Sequence, residues 1–350
     1  VPLVRPEVVR APEPPPPTPP PRGGMAGVYR SPRKAVAASA PVIVSTADAA
    51  PLKLGGTVPA GHVGPRIHVW DWEKSDTSRV LDATCEEPFA VTPDGKQLLT
   101  ADGRAIDLTT GEAEPLAWWG ERKLRPAWLR FAPDGKTLLA FEHDQKTGTA
   151  RLLDYPAGTE RARVTDLWWA ASKAAFAADG KTVVLFGSDA HLRSFDTTTG
   201  KEKVRFAPGF ENTIAAIAVS PDGSRVAGAQ YGVVRVWDAA TGRLVCEPTT
   251  KGDGPLSWVD ALAFSPDGKR LAGGGTGRLT LWDAADGSLV HRYPAESIVV
   301  ADIRFDPTGT TITTVKGIHI HGPRGGEDVT VYPTVDRWRA DAPERAGPKK

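Results

Sequence analysis

A turn ending in Asp-Gly returns along this chain at nearly constant spacing, and that regularity leaves few architectures open. Its glycines are Gly95, Gly135, Gly180, Gly223, Gly268 and, in the degenerate form Asp-Pro-Thr-Gly, Gly309, with gaps of 40, 45, 43, 45 and 41 residues. The fullest copy, Ile217 to Val245, recurs almost verbatim at Leu262 to Val290. In it, short apolar runs of strand composition begin at Ile217, Arg225 and Val233, a fourth follows Gly242, and turn residues separate them. Pro221 presets φ at its turn position, Asp222 suits the next, and Gly223 takes the positive φ that closes the hairpin. A second marker keeps step: Trp70-Asp71, Ile106-Asp107, Leu153-Asp154, Phe195-Asp196, Trp237-Asp238 and Trp282-Asp283 end the third run of successive units.

A period of 40 to 45 residues in a strand-rich chain means propeller blades. The residues resemble the WD-repeat β-propellers, in particular the bacterial style that combines Ser-Pro-Asp-Gly with Val-Trp-Asp-Ala-Ala-Thr-Gly, over roughly residues 40 to 335. The Gly-His pair usual in that family before the innermost strand is missing, and the aspartate before the third strand is present only at Asp102 and Asp189. The expected fold is therefore all-β: a seven-bladed β-propeller of four-stranded antiparallel blades with an incomplete His-Asp network. Six blades centre on the turn glycines. Arg66 to Asp82 supplies the third and fourth strands of an earlier one, with Val42 to Ser45 and Leu52 to Thr57 as its first two. In the alternative closure, Asp328 to Trp338 crosses over to complete that first blade.

Three segments are expected: a disordered Pro-rich leader over 1–37, the propeller over 38–338, and a disordered tail over 339–350. Residues 13–21, Glu-Pro-Pro-Pro-Pro-Thr-Pro-Pro-Pro, lack the apolar content for a core and favour polyproline II. The compartment stays open. Cytoplasmic residence is slightly favoured, but Met25 to Ala49 has the basic, apolar, small-residue order of a weak secretory signal. A chain that begins at Val1 is also compatible with an appendage of a longer signalling protein. Cys85 and Cys246 fall four units apart and are read as two free thiols.

Charge narrows the partners. With 43 Lys and Arg against 42 Asp and Glu, the chain has no broad attraction for nucleic acid, and no apolar run is long enough to span a bilayer. Catalytic motifs are absent: there is no Gly-x-Ser-x-Gly elbow, His-Glu-x-x-His helix or Gly-x-x-x-x-Gly-Lys loop. Gly273 to Gly277 lies between two strands and opens no helix. His68, His319 and His321 align as third strands of the first and last blades, without the convergence a metal site needs. No catalytic residue, metal or cofactor is expected, and the chain is read as a non-catalytic monomer.

Protein binding is the function expected. In an up-and-down blade the regular turns share one face, and the irregular loops share the other, where binding residues usually sit. Those loops hold Trp118-Trp119, Trp168-Trp169 and Phe210, with Arg122, Glu142 and His143 as polar company. These eight residues are the candidate partner-binding set, since Trp and Arg anchor many interfaces. Each doublet, taken as strand-like, should turn one indole outward. The partner's identity stays open. The rival reading is a small ligand or hydrolytic site at the channel mouth, drawing on Glu142, His143, Asp144, Asp189, His191 and Glu211.

Overall fold

The computed structural model describes residues 34–36, 42–46, 57–59, 66–71, 73–74, 78–84, 88–144, 146–169, 173–211, 214–249, 259–275, 278–294, 300–320 and 329–340. Most of the Pro-rich leader, Cys85, His321 and the tail beyond residue 340 lie outside them. Among the described residues one short helix, Ala117–Glu121, interrupts an otherwise all-strand chain. The strands pair, always antiparallel, into four-stranded sheets. The molecule is a β-propeller.

Counted along the chain, the second to sixth sheets use their strands in sequence order. The third, for example, is Trp128–Phe131, Thr137–His143, Thr147–Asp154 and Glu160–Trp168. The six turn glycines close the first hairpins of the second to seventh sheets at φ between +65° and +73°, a region only glycine enters without strain. The aspartate that directly precedes five of these glycines caps its turn: Asp222 Oδ1 accepts from the backbone N–H of Ser224 at 3.0 Å and from Ser220 Oγ at 2.6 Å. The repeated tripeptide is thus a self-contained local device.

The Trp-Asp marker acts over a longer range. Trp70, Trp237 and Trp282 are wholly buried at the ends of third strands. Trp237 Nε1 donates to the carbonyl of Ala207 at 3.1 Å, and Trp282 Nε1 to that of Thr249 at 3.1 Å. Each acceptor lies on the chain that has just left the preceding sheet, so the indole fastens one blade to the next. The aspartate that follows caps the next turn, as when Asp238 Oδ1 accepts from Thr241 N at 2.8 Å.

The first and last sheets depart from both expected closures. The first consists of Lys34–Val36, Val42–Thr46, Arg66–Asp71 and Arg79–Thr84. Lys34–Val36, placed by sequence in the leader, is its first strand. The last contains Val300–Phe305, Thr311–Ile320 and Val329–Arg339, and its fourth strand is Thr57–Pro59, from the chain's other end. Val329 pairs with Pro59 and Val331 with Thr57. Val329–Arg339 therefore remains in its own sheet, and the crossing runs the other way. His319 consequently falls on a second strand, whereas His68 lies on a third strand, as expected.

Candidate functional site

Glu142, His143 and Trp168 lie on strands of the third sheet with Trp169 directly after it, whereas Trp118, Trp119 and Arg122 lie on or beside the short helix that precedes it. Gly148 permits the centre of the third-sheet cluster: a Cβ there would sit 2.4 Å from the Phe141 ring and 3.0 Å from the Trp168 carbonyl. Phe141 stacks on Trp128 with centroids 4.9 Å apart and planes 9° from parallel. Trp168 lies against Phe186 of the fourth sheet, centroids 6.3 Å apart. Trp169, the next residue, is 40% exposed and meets the edge of the exposed His143 ring at 5.8 Å. The second doublet therefore turns one indole inward and one outward.

The first doublet does not. Trp118 and Trp119 lie on the Ala117–Glu121 helix, where adjacent side chains diverge by about 100° rather than alternate. Trp119 is buried and donates from Nε1 to the carbonyl of Ala101 at 2.9 Å. Trp118 is half-buried, and its Nε1 donates to the carbonyl of Pro156 at 2.7 Å. Both rings fill space beside glycines: Gly103 lies under Trp119 and Gly158 under Trp118. Phe210 is also core, 5% exposed, edge-on to Trp237 and covered by the Arg235 guanidinium 5.2 Å above it.

Two of the polar candidates, Arg122 and Glu142, are tied by a residue outside the candidate set. Arg151, buried in the third strand, bonds Glu160 Oε2 at 2.7 Å, lies 3.5 Å from Glu142 Oε2, and donates to the Arg122 carbonyl at 3.3 Å. Burial alone would raise the pKa of Glu160, but bonds and charge from Arg163 and Arg151 hold it below the usual range. Glu142 also accepts from the backbone N–H of Arg125 at 2.7 Å. The available signal was an arginine inside the apolar run Ala150 to Leu153, where a buried cation demands carboxylates nearby.

On the fourth sheet a second charged group adjoins Trp168 and Trp169. Asp166, at φ +59°, turns the strand out of its ladder, and its carboxylate accepts from Ser188 Oγ at 2.5 Å. Arg193 lies 2.6 Å from Asp189 and 3.6 Å from both Asp166 and Glu202. Burial pushes the Asp189 pKa up, but Arg193 and Arg205 together hold it below the carboxylate range. His191 Nδ1 lies 2.8 Å from the Asp189 carbonyl. Asp189 and His191 thus stand together, while Glu142 and His143 belong to the third-sheet cluster. The backbone N–H groups of Thr147 and Lys146 lower the pKa of Asp144, and Glu211 is exposed. Among the described residues, no three His, Cys, Asp or Glu side chains are placed to hold a metal ion.

Two stretches of the repeat match a known family. The family described as WD domain, G-beta repeat matches residues 201–238 and 246–283. Each match begins on the last strand of one sheet and continues through the first three of the next: Glu202–Arg205 closes the fourth sheet, and residues 216–238 open the fifth. This chain carries WD40 repeats in a β-propeller. The staggered WD40 repeat interlocks neighbouring blades, whereas Thr57–Pro59, which pairs with the last sheet, lies in sequence between the second and third strands of the first and so joins those two sheets by a different route. No curated protein matches this WD40 chain. Among its described residues no helix is long and apolar enough to cross a membrane.

Proposed function

We propose that this WD40 propeller is a non-catalytic scaffold that binds a protein partner at the irregular end of its third and fourth sheets. Propellers of this family typically mediate protein interactions, and the fold by itself does not choose the face. The observation that carries the choice is Trp169: a 40%-exposed indole, edge-on to exposed His143 and backed by packed Trp168. A large side chain held at low entropic cost on a rigid support, with charged groups around it, has the anatomy of an interface anchor. Arg122 and Glu142 hold the rim in place through Arg151; Trp118, Trp119 and Phe210 act from beneath. In this reading all seven sheets are blades of one ring, and the protein acts as a monomer.

Affinity capture with wild type, a Trp169→Ala/His143→Ala variant, and a Lys269→Ala control on the opposite face tests the reading. A partner kept by wild type and by the control but lost by the double variant supports it. Equal capture by all three removes this face as the site.

A further inference from the structure

Two departures from the repeat meet between the fourth and fifth sheets, on the face of the regular turns. Two residues before the aspartate that ends each third strand, five sheets hold an apolar side chain, Val69, Ala105, Leu152, Val236 or Leu281, but the fourth holds Ser194. Two residues before the glycine of each first hairpin turn stands a proline, Pro93, Pro133, Pro221, Pro266 or Pro307, but in the fourth sheet Ala178. Departures from a local rule concentrate where function demands them. Here they leave space. A Cβ placed on Gly135, Gly180, Gly268 or Gly309 would meet the preceding sheet's turn within 4 Å, whereas on Gly223, whose preceding turn is that of Ala178, it would meet nothing within 4 Å. The result is a cleft of about 560 Å³ that Ala178, Ser194 and Gly223 all line. Small-molecule sites span roughly 300 to 1,000 Å³.

Register sets the chemistry of this cleft. Thr182 and Val184 share a face of their strand, Val184 pairs with Ser194, and Ser194 pairs with Val204, so all four side chains stand on the side that lines it. Half-buried Val204, Val219 and Ala239 form walls over buried Val184, Phe206 and Val226. Ser194 is 4% exposed, and its Oγ has only a long contact, 3.5 Å, to the Val204 carbonyl. A hydroxyl in so apolar a setting calls for a closer partner. At the rim, Lys203 Nζ donates to Thr182 Oγ1 at 2.9 Å, and an ammonium has two further donors to offer.

Charge selects a neutral occupant. Asp179 and Asp222 also line the rim, and Asp196 acts on Lys203 through its charge, so an entering anion meets carboxylates. Those of the rim are already engaged in their turns. Asp222 accepts from Ser220 and Ser224, and Asp179 Oδ1 from the backbone N–H of Lys181 at 2.9 Å, which leaves little for a cation. Either ion would also exchange its water for one hydroxyl at the depth of Ser194.

We propose that the cleft between the fourth and fifth sheets binds an uncharged, largely apolar small molecule with one hydroxyl group, its body against Val204, Val219 and Ala239 and its hydroxyl directed to Ser194 and Lys203. A neutral hydroxyl can accept from the ammonium and donate to the serine in one pose. None of the eight residues of the partner face lines the cleft, so the site stands or falls independently of the scaffold reading.

Isothermal titration of the full chain with para-ethylphenol, ethylbenzene, para-ethylbenzoate and para-ethylbenzylammonium tests this. One-to-one binding of para-ethylphenol is expected, at least about tenfold tighter than either ion and about threefold or more tighter than ethylbenzene, which lacks the hydroxyl. Ser194→Leu sets into the cleft the side chain that Leu152 and Leu281 carry at the same register, and should weaken para-ethylphenol at least about tenfold. Its thermal transition checks folding. Lys203→Met, at an exposed position, is the second variant and should weaken para-ethylphenol about threefold while leaving ethylbenzene unchanged. Lys269→Met, on another turn, should change neither. No one-to-one binding of para-ethylphenol, equal binding of ethylbenzene or of either ion, or unchanged affinity in either folded cleft variant would overturn the proposal.

Discussion

The indole N–H of Trp118 and the carbonyl of Pro156 meet at 2.7 Å, joining the short helix after the second sheet to a turn of the third. Gly158, at φ +71°, lies directly beneath the ring, where a Cβ would fall 1.9 Å from it. Trp118→Ala should therefore loosen the junction between two blades as well as remove a surface indole. Because the ring is only half-buried, we expect a loss of about 2 kcal/mol, below the range for a fully buried tryptophan. Urea unfolding monitored by circular dichroism measures it, and a loss under about 0.5 kcal/mol would mean that the contact contributes little, as for ordinary surface substitutions.

Arg151 supports a different prediction. Its removal leaves Glu142 and Glu160 facing each other without their shared cation. Arg151→Met should cost about 3 kcal/mol, the scale for breaking a largely buried pair. Arg151→Lys should recover only part of this, because one ammonium cannot reproduce the Nε and Nη2 bonds to Glu160 and the Nη1 bond to the Arg122 carbonyl. Full recovery by lysine would show that charge alone matters.

The turn aspartates give the protein an acid limb. Hydrogen bonds from Ser220 and Ser224 bring the Asp222 pKa from 3.8 to about 2, and Asp107, Asp196, Asp238 and Asp267 are shifted in the same direction by similar bonds. Each folded pKa lies below the unfolded one, so the unfolded chain takes up protons first as pH falls. Their stabilisation is complete above about pH 4 and disappears towards pH 2. The melting temperature of wild type should fall across that interval. Asp222→Asn should melt lower than wild type at pH 6 and show a shallower acid fall; an identical fall would assign the acid limb to other groups.

Cys246 is buried, and its Sγ approaches the Ala284 carbonyl at 3.8 Å. Burial pushes its pKa up to about 11, so at pH 8 almost none is thiolate, the form that reacts. In a Cys85→Ser background the thiol should react with an aromatic disulfide reagent only as fast as the protein opens, and rapidly once denatured. Immediate reaction in the native state would contradict this burial.

The Asp-Gly turns, the Trp-Asp strand ends and the four-strand unit were all legible in the sequence. Each is specified by residues within a few positions of one another, and six copies reinforce the pattern. The helix around Trp118 was not. Five residues are too few to show a helical period, and Ala-Trp-Trp-Gly-Glu next to a strand gives no cap to mark it. Phe210 was equally opaque, because its burial depends on Trp237 and Arg235, which belong to the following sheet.

What the sequence determined by itself was therefore local: strand, turn, repeat, and the family those repeats belong to. Tertiary structure alone decided that Thr57–Pro59 completes the sheet of Val329–Arg339, that Arg151 serves two glutamates, and that the Arg235 guanidinium lies over Phe210. The physical reason is common to all three. A backbone edge accepts any strand that reaches it, and a charge acts on whatever lies within a few ångströms, so partners distant along the chain carry no mark of one another until the ring brings them together.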